Sequence, residues 1–204
     1  MPTAELPEFI QEHYEIHEWR HACAILREDF PEEYDDIVDV LARFRLRRSH
    51  IAVGGGRKSK VAGWVDSQFA ARGWVEKGFR TSITVDERII DSPTHAVDCF
   101  KNGIALEIEW NNKDPFFDRD LNNFRLLFEL RALSVGVILT RCDELQEIFD
   151  ALGRGTSYGS STTHMSKLLP RVQGGGGGGC PLLVFGIRRS LYVEDIPDSA
   201  EAGG

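Results

Sequence analysis

The spacing of apolar residues predicts several amphipathic helices along the chain. In these segments an apolar residue returns every three to four positions, which places the apolar side chains on one face of a helix. Pro31 suits the first turn of the second of them. The predicted helices are residues 8–20, 31–47, 63–78, 116–133 and 143–152, followed by a short helix that ends at Pro170.

Alternating segments and short apolar runs predict strands between these helices. The first three strands are expected to be antiparallel neighbours, and Asn102-Gly103 between the second and third is the strongest short hairpin signal. The last two runs are continuously apolar, as expected of buried strands. Together with the helices they predict an α/β fold with a mixed central sheet flanked by helices. The predicted strands are residues 82–90, 95–100, 104–110, 134–140 and 180–187.

The length and the cysteine content limit the classes of protein to which the chain can belong. A chain of 204 residues suits one domain, which we place at residues 1–190, with a helical part at 1–50 and a disordered acidic tail at 191–204. The four cysteines form no CxxC pair, so neither a zinc site nor a disulfide framework is expected. The sequence has no secretion signal and no apolar run of about 18 residues, which predicts a cytoplasmic protein.

The charge is distributed unevenly along the chain. The net charge of −8 by itself argues against a nucleic-acid partner. However, residues 1–42 carry 2 Lys/Arg and 12 Asp/Glu, whereas residues 43–80 carry 10 Lys/Arg and 2 Asp/Glu. A basic middle segment in an acidic chain is the pattern expected where one surface meets phosphate. The alternative is a solvated basic helix end and loop.

Three acidic residues are predicted to meet near the hairpin. Glu107 and Glu109 leave the same face of a strand, and the hairpin brings Asp98 next to Glu107. Such a cluster raises its own pKa values unless a cation neutralises it. Mg²⁺ prefers oxygen ligands, so two carboxylates and a strand carbonyl suit it. The alternative is a solvent-facing strand with alternating glutamates, which for Glu107 and Glu109 alone is the more common arrangement.

These residues resemble a known nuclease core. Asp98 followed by Glu107-Ile108-Glu109 resembles the PD-(D/E)xK nucleases in their D-x8-E-x-(E/Q) variant. The stretch ALEIEWNNKDPFFDRDLNNFRLLFELRAL is similar to the BglII-type branch of the type II restriction endonucleases, and the similarity extends over residues 57–187. The resemblance implies a restriction-endonuclease-like core and a homodimer that binds double-stranded DNA. It also implies Mg²⁺-dependent cleavage, with one or two ions per site, at a short palindrome with a GATC centre and 5′ overhangs. Neither a nucleotide cofactor nor a membrane is implied.

The same resemblance assigns catalytic roles to Asp98, Glu107 and Glu109. Asp98 and Glu107 match the metal-binding carboxylates of the family, and the carbonyl of Ile108 is the strand carbonyl expected beside them. Glu109 stands where the wider family has Lys and the closest named relatives have Gln, and it resembles the BamHI-type site. It therefore either orients or deprotonates the attacking water, or it binds a second metal.

The predicted DNA contacts lie in three segments. Asn112 resembles a base-reading position, and its amide suits adenine, although an Asn-Asn pair equally marks a turn after a strand. A Ser/Thr stretch matches in order a loop that enters the major groove, although such a stretch is more often only a loop. The cations after the glycine loop suit phosphate contacts. The predicted contacts are Arg57, Lys58, Ser59, Lys60, Asn111, Asn112, Lys113, Ser160, Ser161, Thr162 and Thr163.

The histidines are expected to be structural. We interpret His95 and His164 as polar surface or capping residues, because metal nucleases of this type need no histidine. His13, His17 and His21 recur at helical spacing and could bind a metal, but an exposed helix face with neighbouring glutamates explains them as well.

Three other functions stay open on the sequence. A nuclease of the same fold class that acts in repair or on modified DNA would share the acidic cluster. A catalytically inactive DNA-binding protein would gain nothing from acids that face phosphate. A metal-binding protein unconnected with DNA would not need the basic segment.

Overall fold

The computed structural model describes residues 5–52 and 58–195. The helices are α1 (Glu8–His13), α2 (Ala22–Asp29), α3 (Pro31–Arg43), α4 (Arg48–Ala52), α5 (Lys60–Ala70), α6 (Phe116–Glu129), α7 (Gln146–Ala151) and α8 (Met165–Gln173). The strands are β1 (Tyr14–Trp19), β2 (Leu46–Arg47), β3 (Val75–Lys77), β4 (Arg80–Val85), β5 (Arg88–Pro93), β6 (Val97–Lys101), β7 (Ile104–Ile108), β8 (Val135–Arg141), β9 (Leu182–Ile187) and β10 (Tyr192–Val193).

A six-stranded mixed sheet with the order β1-β9-β8-β7-β6-β3 forms the centre of the molecule. Strands β7, β8 and β9 run parallel to one another, whereas β1, β6 and β3 are antiparallel to their neighbours. The predicted α/β fold with a mixed sheet is therefore confirmed. The short strand pairs β2–β10 and β4–β5 form separate two-stranded sheets.

Buried side chains on the two faces of this sheet form two apolar clusters. The larger cluster packs the helices α1–α5 against residues such as Leu106 and Ile108 of β7. The smaller one packs α6 and α8 against the other face, where Ala105 lies. Because side chains alternate along a strand, Glu107 is directed to the same side as Ala105, toward α6.

The predicted hairpin is present between β6 and β7. Asn102 and Gly103 both have positive φ, at 47° and 87°, which is the combination that a type I′ turn requires. Cys99 is paired with Leu106 and Lys101 with Ile104. This register brings Asp98 beside Glu107.

The N-terminal third differs from its predicted helices. The predicted helix 8–20 ends at His13, because residues 14–19 pair with β9 as an edge strand. The predicted helix 31–47 ends at Arg43, so the later arginines lie outside it. The predicted helix 63–78 begins earlier, with Ser59 as its N-cap, and ends at Ala70. Gly73, with φ of 83°, turns the chain there into β3.

The predicted strand 82–90 is also wrong. The chain turns at Asp86 and Glu87, and Asp86 has a positive φ of 55°. The segment therefore forms the separate hairpin β4–β5 and does not lie beside β6. Strand β3 takes that place in the main sheet.

The C-terminal half follows the predictions more closely. The glycine run 174–179 forms turns close to α6 and to the start of β9, where a Cβ on Gly177 would meet Leu182 and one on Gly179 would approach Phe128. The predicted disorder of 191–204 is wrong at its start, because β10 pairs with β2 and Asp195 accepts hydrogen bonds from Ser49. Residues 196–204 lie outside the described part of the chain. No helix in the described segments is long and apolar enough to cross a membrane.

Candidate active site

Asp98 and Glu107 lie side by side at the open end of the β6–β7 hairpin. The Asp98 Oδ2 atom accepts a hydrogen bond from the backbone N–H of Ile108 at 3.0 Å. The backbone N–H of Asp98 lies 3.4 Å from Glu107 Oε2. Asp98 is the most exposed of the three acids, so it is the one most accessible to a ligand. The hairpin thus brings together the two carboxylates that the sequence paired.

Glu107 and Glu109 are both buried, with only 1% of each exposed. Strand β7 is central in the sheet and is buried along its whole length, so the interpretation of a solvent-facing strand with alternating glutamates is wrong. Glu109 follows the end of β7, but its N–H still donates to the Leu139 carbonyl at 2.9 Å. Buried carboxylates are costly unless they are paired, which points to a functional reason for retaining them.

Two residues that the sequence did not assign to the site, His95 and Asp120, lie close to Glu107. The His95 Nε2 atom lies 3.1 Å from Glu107 Oε1 and 3.1 Å from Asp120 Oδ1. Asp120 comes from α6 and is fully buried. Asn123, one turn further along α6, donates to the His95 carbonyl at 3.4 Å. His95 is therefore part of the acidic cluster, and its interpretation as a surface or capping residue is wrong.

Glu109 is linked to the same cluster from its other side. Asn112 Nδ2 donates to Glu109 Oε2 at 2.9 Å. Arg119 Nη2 lies 3.6 Å from Glu109 Oε1 and 2.9 Å from Asp120 Oδ1. Asp120 thus connects to Glu107 through His95 and to Glu109 through Arg119. Its second oxygen, Oδ2, is buried and has no hydrogen-bond partner among the described residues.

Burial and, to a smaller extent, repulsion between the acids raise the pKa values of the carboxyl groups in the cluster. Burial, with added repulsion from Asp120, raises the pKa of Glu107 to about 8 and that of Glu109 to about 10. Loss of hydration, followed by repulsion from Asp66 and Asp120, also raises the pKa of Asp98. For His95, burial alone would lower the pKa, but hydrogen bonds to Asp120 and Glu107 outweigh it and raise the pKa to about 9.

A basic residue and a further acid reach the site from α5 and the segment before it. Lys58 forms an ion pair with Asp66, and its charge also acts on Asp98. Asp66 Oδ1 lies 3.6 Å from the Cys99 sulfur, on the strand that carries Asp98. Lys58, predicted to contact phosphate, therefore lies within reach of the acidic cluster.

The residues present fit a hard divalent cation. They offer several carboxylate oxygens in one place, and Asp120 has an unpartnered buried oxygen. Their pKa values are raised by burial and also by mutual repulsion, and a cation would relieve the repulsion. One ligand atom from each of His95, Glu107 and Asp120 lies within 4.8 Å of the others. This grouping differs from the predicted set of Asp98, Glu107 and the Ile108 carbonyl, although Glu107 is common to both.

Two of the three predicted DNA-contact segments lie against each other. Lys113 forms an isolated β-bridge with Thr162, and the Asp114 N–H donates to the Ser161 carbonyl at 3.0 Å. The N–H of Thr163 donates to the Asn112 carbonyl at 2.8 Å. Residues 111–113 follow the end of β7, and Asn112 contacts Glu109, whereas residues 160–163 precede α8 and are bonded to residues 112–114.

Individual members of these segments differ in how accessible they are. Ser160, Ser161 and Lys113 are exposed, whereas Thr163 is fully buried and its hydroxyl accepts from the Asn112 N–H at 3.2 Å. The prediction that Thr163 contacts DNA is therefore wrong for this conformation, because its hydroxyl holds the backbone of Asn112. Asn111 is half-buried.

The third segment surrounds the start of α5. Ser59 is the N-cap of this helix, and its hydroxyl accepts from the Ala62 N–H at 3.0 Å, so it stabilises the helix. Lys58 and Lys60 are exposed. Arg57, with the glycines before it, lies outside the described residues.

The remaining histidines do not share a helix face. Residues 14–19 are a strand, so the helical spacing of His13, His17 and His21 has no structural counterpart. His13 Nδ1 lies 2.8 Å from the Ser190 hydroxyl. His164 directly precedes α8 and lies 2.7 Å from Asp143, in keeping with a polar role at a helix end.

The mixed sheet with helices on both faces and the carboxylates at the end of a central hairpin define the class of restriction-endonuclease-like α/β proteins. Residues 14–187 of the chain match the sequence model of one family in this class, described as Restriction endonuclease BglII/BglIII. The chain therefore belongs to the BglII family and is a restriction endonuclease, a deoxyribonuclease that binds DNA. A comparison with curated proteins finds no matching sequence.

Proposed function

We propose that the protein is a type II restriction endonuclease that hydrolyses phosphodiester bonds with Mg²⁺ at the Asp98–Glu107–Glu109 cluster. The observation that supports this most is the hairpin geometry, in which Asp98 Oδ2 accepts from the Ile108 N–H and lies beside Glu107. A bound Mg²⁺ would supply charge stabilisation for the phosphoryl transition state and a water of lowered pKa. Asp98, Glu107 and the Ile108 carbonyl would hold it.

Each side chain of the cluster then has a defined task. His95 and Asp120 fix the Glu107 carboxylate, because His95 Nε2 contacts both acids at 3.1 Å. Asn112 and Arg119 fix Glu109, whose position next to Glu107 suits it to orient or accept a proton from the attacking water. Lys58 is placed to attract a phosphate toward Asp98.

A symmetric dimer would bind the DNA substrate. By its family resemblance, the protein acts as a homodimer on a short palindrome with a GATC centre and leaves 5′ overhangs, and we propose that it does so in the cytoplasm. A twofold dimer presents two identical sites, which matches the symmetry of a palindrome. Asn111, Asn112, Lys113, Ser160, Ser161 and Thr162 provide the base-facing surface, and Arg57, Lys58 and Lys60 provide phosphate contacts.

One experiment tests the proposal against its rivals. The protein is incubated with plasmid DNA, with and without Mg²⁺, and the ends of any fragments are sequenced. We expect Mg²⁺-dependent cleavage at one palindromic sequence with 5′ overhangs. Cleavage only of methylated or damaged plasmid would favour the repair or modified-DNA nuclease. Binding without cleavage would favour the inactive DNA-binding protein.

Glu109 is expected to tolerate glutamine better than alanine. Glu109→Gln keeps an oxygen that can accept from Asn112 Nδ2, whereas Glu109→Ala leaves both Asn112 and Arg119 without this partner. We expect Glu109→Gln to retain measurable cleavage and Glu109→Ala to lose about 10²-fold or more, as for other positioned acid–base groups. Single-turnover cleavage of a cognate duplex measures both. Full activity in both variants would place Glu109 outside the mechanism.

Asn112 and Lys60 are expected to affect DNA binding in different ways. Loss of a bidentate base contact reduces the binding free energy for the cognate sequence by about 1–3 kcal/mol. Loss of a phosphate contact weakens binding to all sequences. Asn112→Ala should therefore reduce the difference in affinity between the cognate duplex and a duplex of random sequence. Lys60→Ala should lower both affinities and reduce the salt slope by about one unit.

A salt titration of both duplexes in Ca²⁺, which suits binding without cleavage, measures these effects. Lys101→Ala serves as a lysine control, because Lys101 lies at the turn of the β6–β7 hairpin, at the end opposite Asp98 and Glu107, and pairs with Asp36. If Asn112→Ala lowers both affinities equally, Asn112 is a turn residue. In that case its side chain serves only to hold Glu109.

A further inference from the structure

A buried arginine lies beneath the DNA-facing loops, outside the acidic cluster. Arg141 is the last residue of β8, and only 1% of it is exposed. Its Nη2 atom donates to the Tyr158 carbonyl at 2.9 Å and to the Thr162 hydroxyl at 2.8 Å. Its guanidinium carbon lies over the rings of Phe149 and Tyr158, at 5.2 Å and 5.8 Å from their centres.

A buried cation at this position is costly, so its presence requires an explanation. Arginine is almost never fully buried unless it is paired, and each buried ion loses much hydration. Burial lowers the pKa of Arg141 to about 10, so the side chain stays charged at neutral pH. Its Nε atom is buried without a hydrogen-bond partner among the described residues. An apolar residue would fill this space beside Phe149 and Tyr158 at a lower cost.

Arg141 is hydrogen-bonded to both ends of a short loop. Tyr158 and Thr162 are the two ends of a segment that includes Ser160 and Ser161. Thr162 also donates to the Gly159 carbonyl at 2.8 Å, which closes the turn between them. The Nη2 atom of Arg141 therefore binds both ends of this loop and restrains their positions.

The loop in turn holds the segment that follows the catalytic strand. Thr162 forms a β-bridge with Lys113. The N–H of Thr163 donates to the Asn112 carbonyl, and the Thr163 hydroxyl accepts from the Asn112 N–H. Asn112 then donates to Glu109. A continuous series of hydrogen bonds thus leads from Arg141 through the loop to a carboxylate of the cluster.

We propose that Arg141 is a positioning residue for sequence discrimination, which anchors residues 158–162 so that the loop and residues 111–113 present one surface to the DNA bases. This inference rests on the proposed function. Arg141 itself does not touch DNA, because it is buried below the loop. Its loss should relax the choice of sequence more than it slows the chemical step.

The test compares Arg141→Met, Arg141→Lys and the wild type in Mg²⁺ on plasmid DNA, with the cut ends sequenced. Methionine fills the space without the donor, whereas lysine keeps the charge and a donor. Leu26→Ala in α2 is the control, because Leu26 is a fully buried core residue outside the loop, and its truncation destabilises the fold. Thermal unfolding of each variant selects a temperature at which all are folded.

We expect Arg141→Met to lower the preference for the wild-type site over sites with one changed base by about tenfold or more. Arg141→Lys should recover part of this preference, and Leu26→Ala should keep it. An unchanged preference in folded Arg141→Met, or an equal loss in Leu26→Ala, would overturn the role of Arg141. In either case wild-type cleavage at a single site would leave the proposed function standing. A wild-type protein that cuts no DNA would overturn both.

Discussion

Asp98→Ala should abolish DNA cleavage while leaving DNA binding intact or stronger. A metal clamp contributes several kcal/mol to the transition state of phosphoryl transfer, and each 1.4 kcal/mol is about tenfold in rate. We therefore expect a loss of about 10³-fold or more in single-turnover cleavage with Mg²⁺. Binding should not suffer, because removal of a carboxylate also removes its repulsion of phosphate. Binding is measured in Ca²⁺ on the same duplex.

A second substitution separates this chemical effect from an effect on folding. Asp98 Oδ2 accepts from the Ile108 N–H, so alanine also removes a backbone partner at the end of β7. Asp98→Asn keeps an acceptor there and loses the charge, and it should be as inactive as Asp98→Ala. Asp118→Asn is the control, since Asp118 is exposed on α6 and pairs with Arg171. Wild-type cleavage rates in Asp98→Asn would contradict the assignment of the metal site.

The metal-free protein should lose stability as the pH rises from about 5 to about 9. The pKa of Glu107 rises from 4.5 to about 8 on folding and that of Glu109 from 4.5 to about 10, so the folded state keeps protons that the unfolded state releases. The pKa of His95 rises from 6.5 to about 9, so its contribution is present below pH 6.5 and is lost through pH 9. All three effects therefore lower the free energy of unfolding in the same direction.

The expected loss is on the order of a few kcal/mol, because one pKa unit corresponds to about 1.4 kcal/mol and coupled groups do not add fully. Mg²⁺ should oppose it, and more strongly at high pH, because carboxylate ligands must be deprotonated to bind a metal. Urea unfolding in EDTA and in Mg²⁺, at fixed protein concentration, measures both effects. Glu107→Gln should flatten the pH dependence. A metal-free stability that is constant or that rises over this pH range would contradict the argument.

Local signals in the sequence were sufficient to predict the hairpin and the helix that faces it. Asn102-Gly103 specifies a type I′ turn by itself, and the apolar stripe of α6 needs no distant partner to be recognised. By contrast, β1 is a strand because β9 lies beside it, and the alternation from Tyr14 to His17 is too short to outweigh the helical spacing of residues 8–20. The separate hairpin β4–β5 was missed because the turn at Asp86 carries no glycine.

The sequence predicted the acids of the hairpin but not the residues that hold them. Asp120 and Asn123 come from α6, and their partner His95 precedes β6, so only tertiary packing brings them together. A signal for them did exist. Asp120 lies three residues after Phe117, on the apolar stripe of α6, and a charged residue on a buried stripe calls for a partner.

The pairing of β1 with β9 has a consequence for how the protein is made. A ribosome releases residues 14–19 early, but residues 182–187, the strand that neighbours them in the sheet of the described residues, emerge much later. Contacts between such distant parts of a chain form slowly, and unpaired strands are exposed until they form. A nascent or prematurely terminated chain therefore lacks the edge of its sheet.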